Sequence, residues 1–152
     1  MKLRTSRVYG FLINNANQVL VSIERFKGIP IIKFPGGGVE WGEGLLAALV
    51  REFKEELEIS IRVKKNIYFN DFPVESAIDK RYQVQAFFYE VEPLEPIRFS
   101  TVLSLEPPEE NTENFIWVDL KNLSEELFTY KIEKEAAKAL KLHLKGRLQK
   151  LN

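Results

Sequence analysis

The sequence lacks cysteine and contains a single histidine, His143. Without cysteine the chain cannot form disulfide bonds, use a thiolate nucleophile or build a zinc site on thiolates. One histidine is also too few for a histidine metal cluster within one chain. Any metal chemistry of this protein must therefore use oxygen ligands.

An excess of charge of either sign is absent as well, since 22 lysine and arginine residues balance 22 aspartate and glutamate residues. A nucleic-acid binder needs a basic excess for its phosphate contacts, so we expect no nucleic-acid partner.

Long hydrophobic runs are also missing. The apolar run after the basic residues 1–7 covers only residues 8–13, which is too short for a signal peptide or a membrane span. We therefore expect a cytoplasmic protein without membrane contact.

The composition that remains is typical of a folded domain, with 45% hydrophobic and 29% charged residues among 152. A chain of this length buries enough surface for one hydrophobic core. No repeat or flexible linker divides it, so we predict a single domain over residues 1–152.

Hydrophobic patterning predicts strands that alternate with two helices. The strand-like segments are residues 8–13, 19–24, 31–34, 59–63, 81–91 and 115–120. The helices cover residues 44–57 and 131–150, and the first has a predicted buried stripe of Leu46, Leu49, Val50, Phe53 and Leu57. We expect the asparagine-rich residues 14–17 to close a hairpin between the first two strands. We expect residues 35–38 to form a loop that no strand continues through. This order predicts an α+β fold with a sheet between helices.

Residues 36–59 carry the chemistry, because a glycine loop leads into a helix with three glutamates near its end. Glu52 precedes Glu55 by three residues and Glu56 by four, so it lies beside both of them on the helix surface. Carboxylates this close repel one another unless a cation neutralises them, and they are the ligands that Mg²⁺ or Mn²⁺ prefers. Arg51 can pair with Glu55 one turn further on.

This segment resembles the signature of the Nudix hydrolases (MutT-like), G-x5-E-x7-R-E-U-x-E-E-x-G-U, in which U is a bulky apolar residue. The matching positions are Gly37, Glu43, Arg51, Glu52, Phe53, Glu55, Glu56 and Ile59. Glu58 stands where the family has a glycine that usually ends the helix in the left-handed conformation. The next strand starts at once, so we expect the chain to turn at Glu58 all the same.

The resemblance implies an α/β/α sandwich, in which a mixed sheet lies between helices, and a Mg²⁺-dependent hydrolysis (Mn²⁺ is the alternative) of a nucleotide diphosphate bond. The implied substrate is of the ADP-ribose type or a nucleoside triphosphate. The metal ligands at the family positions are Gly36, Glu52, Glu55 and Glu56. Arg51, Glu52 and Glu55 are also expected to act in catalysis, and the general base is either Glu52 or a glutamate of the later loop. In that loop we favour Glu110 over Glu109 and Glu113.

Three further residues are expected to contact the substrate, namely Arg25, Phe34 and Gln85. An alternative function is a catalytically silent Nudix-fold module that binds or senses a nucleotide. Such modules commonly lose the signature carboxylates, whereas this chain keeps all three. Because homodimers are common in the family, the resemblance also leaves a homodimer open.

Overall fold

The computed structural model describes the backbone of residues 1–151 and the side chains of residues 1–147, so Asn152 of the predicted domain lies outside it. Eight strands and two α-helices follow one another along the described residues, and two short 3-10 helices, Leu120–Asn122 and Glu125–Leu127, lie between the last strand and the last helix. The strands and α-helices are β1 (Leu3–Leu12), β2 (Gln18–Phe26), β3 (Ile29–Lys33), β4 (Gly36–Gly38), α1 (Leu45–Leu57), β5 (Ile61–Phe69), β6 (Val74–Glu75), β7 (Tyr82–Pro93), β8 (Glu113–Asp119) and α2 (Lys131–Leu151). This interleaving confirms the predicted α+β class.

These elements form two compact units. The first unit contains residues 1–11 and 35–98, and its sheet has the strand order β4-β1-β7-β5, with β6 paired to β7. The second unit contains residues 12–34 and the chain from residue 99 onward, and its sheet has the order β3-β2-β8. Helix α1 belongs to the first unit and α2 to the second.

The predicted hairpin between the first two strands is wrong beyond its turn. Within residues 14–17, Asn14 Oδ1 accepts the N–H groups of Ala16 and Gln18 at 3.0 Å, as expected of a turn-forming asparagine. Beyond this turn only one bridge, Ile13 with Val19, joins the segments. Strand β1 pairs with β4 and β7, whereas β2 pairs with β3 and β8. Each of them is flanked on both sides by other strands of its own sheet and carries a run of consecutive buried residues. Neither strand therefore has an edge free to pair with the other.

The glycine segment was also predicted incorrectly as a loop without strand structure. Gly36–Gly38 forms β4, which pairs antiparallel with β1 in the register Tyr9 to Gly36 and Val8 to Gly37. Glycine is required at residue 36, where φ is +146° and a Cβ atom would lie 2.1 Å from the Val8 carbonyl oxygen. The absence of side chains lets this short strand approach β1 closely.

Helix α1 packs its inner face against β1. Phe53 is buried, and a Cβ atom at Gly10 would lie 2.7 Å from its ring. The predicted stripe was too wide, because Leu46 and Val50 are exposed and line a surface groove beside the start of β5. The helix ends as expected: Glu58 is left-handed, with φ 53° and ψ 34°, and its N–H donates to the Lys54 carbonyl.

The second unit has its own core, to which α2 contributes Ala136, Ala137 and Leu140. The Phe34 ring stacks on Phe128 at a centroid distance of 4.5 Å. Over the residues that the structure describes, no helix combines the length and the hydropathy needed to cross a bilayer.

Candidate active site

Arg51 lies at the centre of a group of polar contacts in the first unit. Its guanidinium binds both carboxylate oxygens of Glu43, with Nε to Oε2 at 2.7 Å and Nη2 to Oε1 at 2.9 Å. Nη2 also donates to the Gly38 carbonyl at 3.0 Å. This two-point contact is the strongest geometry available to an arginine–carboxylate pair. It joins α1 to the segment between β4 and the helix.

The other terminal nitrogen of Arg51 faces the glutamates of α1. Nη1 lies 3.2 Å from Glu52 Oε1 and 3.2 Å from Glu55 Oε2, and 3.7 Å from Glu40 Oε1. The pairing of Arg51 with Glu55 is therefore confirmed. We call Gly38, Glu40, Glu43, Arg51, Glu52 and Glu55 the Arg51 cluster. One guanidinium in this cluster holds four carboxylates that would otherwise repel one another.

The charges of the cluster shift the pKa values of Glu43 and Arg51, the closest pair in it. The Arg51 hydrogen bonds, helped by the Glu40 backbone N–H, hold the pKa of the Glu43 carboxyl below its ordinary value, although its burial acts in the opposite direction. The same Glu43 hydrogen bonds raise the pKa of Arg51, and the neighbouring carboxylates add to this effect. Both groups therefore stay charged at neutral pH, and the pair persists there.

Glu52 contacts the glycine strand directly. A Cβ atom at Gly37 would lie 2.6 Å from Glu52 Oε1 and 2.8 Å from Oε2, so the carboxylate occupies the space that any other residue would fill. Its side chain is 13% exposed, compared with 59% for Glu55. Glu52 is thus held from one side by Arg51 and from the other by the β4 backbone.

The donor atoms of this region fit a hard divalent cation. Glu52, Glu55 and Glu56 supply carboxylate oxygens within two turns of α1, and the space kept open by Gly37 places the first of them against β4. Within the described residues, however, no three acidic or histidine side chains are grouped to hold one ion. The hydrogen bonds of Glu52 and Glu55 with Arg51 give a physical reason, because they direct these carboxylates toward the guanidinium.

Two of the expected site residues join loops within the second unit. Arg25 Nε donates to the Pro108 carbonyl at 3.0 Å, and Glu110 Oε2 accepts the Gly28 N–H at 3.0 Å. The Asn111 N–H in turn donates to the Arg25 carbonyl. These contacts attach the acidic loop that precedes β8 to the turn between β2 and β3.

The remaining expected residues are placed as follows. Glu113 accepts a short hydrogen bond from Ser22 Oγ and lies 3.6 Å from Lys33 Nζ, and Glu109 is exposed. Phe34 is fully buried, with 0% exposure, and packs in the core of the second unit. Gln85, in the first unit, is half-buried and donates its amide to the Asn70 carbonyl at 3.1 Å. Substrate contacts of Phe34 and Gln85 stay predictions.

Sequence reasoning missed several members of the Arg51 cluster. Glu40 and the Gly38 carbonyl were not expected to bind Arg51, and neither was Glu43, eight residues earlier. The signature spacing between Glu43 and Arg51 was the available signal, because it sets an acidic residue before the helix and a basic residue within it. The spacing alone did not establish that Glu43 and Arg51 are in contact, because the path of the chain between Glu43 and the start of α1 cannot be read from it.

These features define a small α+β protein in which a glycine strand and one helix share a site of an arginine and several carboxylates. The NUDIX domain model matches residues 3–141, so the chain belongs to the Nudix family. No curated protein matches the sequence significantly.

Solved structures agree on the fold. A MutT protein from Methanosarcina mazei Go1 is 18% identical, with a TM-score of 0.67 over 90% of this chain and 92% of that one. An ADP compounds hydrolase is 17% identical, with a TM-score of 0.64 over 94% and 74%. A UDP-X diphosphatase is 19% identical, with a TM-score of 0.60 over 92% and 64%. At these identities the likeness concerns the fold alone.

Proposed function

We propose that this protein is a divalent-metal-dependent Nudix pyrophosphohydrolase that cleaves the diphosphate of a nucleoside diphosphate linked to another group. The observation that carries the proposal is the Arg51 cluster, in which the signature residues Glu43, Arg51, Glu52 and Glu55 contact one another. One guanidinium faces four carboxylates there, so the cluster carries an excess of negative charge that Arg51 alone cannot neutralise. Such an excess suits a site that binds a divalent cation.

Glu52, Glu55, Glu56 and the Gly36 carbonyl would hold Mg²⁺, with Mn²⁺ as the alternative. When bound, the ion neutralises charge on the diphosphate and makes an attacking water more acidic. Arg51 keeps Glu52 and Glu55 close together through Nη1, and the bidentate pair with Glu43 fixes Arg51. Ion binding would turn these two carboxylates from the guanidinium toward the metal.

The general base is proposed to be Glu52 or a glutamate of the loop before β8, with Glu110 favoured within the loop. A base needs a free lone pair when the water arrives. Glu110 uses one oxygen for the Gly28 N–H, and one oxygen of Glu113 accepts from Ser22.

To identify the base, we would compare E109Q, E110Q and E113Q. Loss of the base lowers kcat by about 10²-fold or more with KM little changed, and wild-type kcat in all three variants leaves Glu52 as the base.

The substrate is proposed to be of the ADP-ribose type or a nucleoside triphosphate. The relatives in structure are named for ADP compounds, for UDP-linked compounds and as MutT proteins, so they support nucleotide diphosphates without choosing among them. The test is a screen with Mg²⁺ over ADP-ribose, sugar nucleotides, dinucleoside polyphosphates and nucleoside triphosphates. Products identified by chromatography show which anhydride bond is cleaved.

Two matched variants test the role of the helix glutamates. Glu56→Gln should lower turnover by orders of magnitude with unchanged thermal stability, because an amide is a poor ligand for a hard cation. Glu58→Gln, which neutralises an exposed carboxylate two residues further on, should retain wild-type turnover. Equal activity of Glu56→Gln and wild type would refute the metal role of Glu56.

One observation favours the silent binding module as a second candidate. Glu52 and Glu55 are already bonded to Arg51, and the described part of the chain contains no group of three ligands for an ion. Nucleotide binding measured by calorimetry, without turnover of any compound in the screen, would establish this function instead.

We also propose that the chain forms a single domain and is located in the cytoplasm. Its ligand is proposed to be a small molecule rather than nucleic acid or a membrane. Light scattering of the purified protein distinguishes the monomer from the homodimer that the family leaves open.

A further inference from the structure

Trp41 is a fully exposed tryptophan beside the Arg51 cluster. Its relative exposure is 104%, the highest of any large hydrophobic side chain among the described residues. Tryptophan is highly buried on average in folded proteins. Complete exposure of the indole therefore leaves a large apolar surface that a ligand can cover.

The backbone holds Trp41 in a rigid turn. The Glu43 N–H donates to the Glu40 carbonyl at 3.0 Å, and Gly42 has φ +77°, the pattern of a type II turn with Trp41 in its second position. The Glu40 N–H donates in return to Glu43 Oε1 at 3.0 Å. Both ends of the turn also contact Arg51. The two ends of the turn that contains Trp41 are thus joined to the same side chain that contacts Glu52 and Glu55.

The distance along the chain is short enough for one ligand to reach both places. Trp41 lies two residues before Glu43, so their Cα atoms are at most about 7.6 Å apart. A nucleotide separates its base from its diphosphate by a ribose, a spacing of comparable size. Its ring can therefore meet the indole while its phosphates lie at the cluster.

We propose that Trp41 is a substrate-recognition residue whose indole stacks on the planar heterocyclic ring of a nucleotide. This inference rests on the proposed function, since it assumes that the diphosphate binds at the Arg51 cluster. Stacking suits a lone aromatic side chain, because every base has a π-face and no specific hydrogen bond is needed. Tryptophan has two side-chain torsions and its turn is rigid, so little entropy is lost when the ring is ordered.

The kinetic test is Trp41→Ala assayed with the best nucleotide substrate from the screen. We expect KM to rise about tenfold or more with kcat retained, the effect of losing one aromatic–base stack. Trp41→Phe, which keeps a ring, should lie between the two. Phe72→Ala is the matched control, because Phe72 is another exposed aromatic of the first unit, at 80%, and should leave KM unchanged.

A binding test avoids any dependence on turnover. In a Trp117→Phe variant Trp41 is the only tryptophan of the sequence, and nucleotide added with Ca²⁺, a hard cation that also takes carboxylate oxygen ligands, should quench its fluorescence and protect it from iodide. A diphosphate without a planar ring, 5-phosphoribosyl diphosphate, should do neither. Inorganic phosphate serves as a further ring-free probe.

The outcomes separate this inference from the proposed function. If wild type turns over nucleotides but Trp41→Ala keeps the wild-type KM and no quenching occurs, the stacking role fails while the proposed function stands. If no compound is hydrolysed yet nucleotides quench Trp41, the hydrolase fails and the stacking role stands. A drop in kcat without a change in KM, or a change in oligomer mass in Trp41→Ala, would overturn the stacking role.

Discussion

Gly37→Ala isolates the contact between the glycine strand and the Glu52 carboxylate. The new Cβ atom would lie 2.6 Å from Oε1, 2.7 Å from Cδ and 2.8 Å from Oε2 of Glu52, whereas ordinary contacts begin at 3.4 Å. The carboxylate must therefore retreat by about 0.8 Å, the difference between 3.4 and 2.6 Å. Misplacement of about 1 Å can cost roughly 10²-fold in rate, so we expect kcat/KM to fall about 10- to 100-fold.

The stability of Gly37→Ala should change by less than about 1 kcal/mol. Gly37 is not among the residues with positive φ, and the atoms that must move are the end of a flexible side chain. We would measure nucleotide hydrolysis with Mg²⁺ and the free energy of unfolding by urea titration followed by circular dichroism. The expected result is lost activity in a protein of unchanged stability.

The two neighbouring glycines provide controls for this variant. A Cβ atom at Gly38 meets nothing closer than Arg7 Nη1 at 3.7 Å, so Gly38→Ala should keep wild-type activity. Gly36→Ala should fail to fold, because its Cβ atom would lie 2.1 Å from the Val8 carbonyl oxygen. Full activity of Gly37→Ala, or an equal loss in Gly38→Ala, would refute the reasoning.

Three further predictions concern packing, the end of the helix and pH. Gly10→Ala should destabilise the protein by about 1–3 kcal/mol through overpacking against the Phe53 ring, and Phe53→Leu in the same chain should restore part of the loss in a urea titration. Glu58→Gly should stabilise by up to about 1 kcal/mol, because Glu58 is left-handed; a calorimetric Tm equal to or below that of wild type would contradict this. Glu43 has a lowered pKa from its bonds with Arg51, so its contribution is complete above the ordinary value of about 4.3 and is lost as the pH falls through the lowered pKa. The stability difference between wild type and Glu43→Gln should therefore shrink in acid, and a difference that grows would be inconsistent with the pair.

Features decided within a few residues of the chain could be read from the sequence. The extent of α1, the pairing of Arg51 with Glu55 and the turn at Glu58 all depend on neighbours within one or two helical turns. Spacing along a helix determines which side chains are adjacent on its surface. The Nudix signature belongs to the same class of information, since it is a set of fixed distances along one segment.

Strand partners could not be read in this way. Residues 8–13 and 19–24 carry patterns typical of strands, but the choice of β4 and β7 rather than β2 as neighbours of β1 depends on which surfaces are buried. Gly36–Gly38 has no side chains from which a strand pattern could be recognised, and only its pairing with β1 makes it a strand.

The sequence by itself therefore determined the family, the helix that bears the carboxylates and the identity of the chemical groups. The tertiary structure decided how these groups are oriented: Arg51 binds Glu43 from eight residues away, and Glu52 lies against Gly37. It also left the Trp41 indole in solvent rather than in a core. The physical reason is that the chemical type of each side chain is part of the sequence. Its contacts depend on how segments that are distant along the chain pack together.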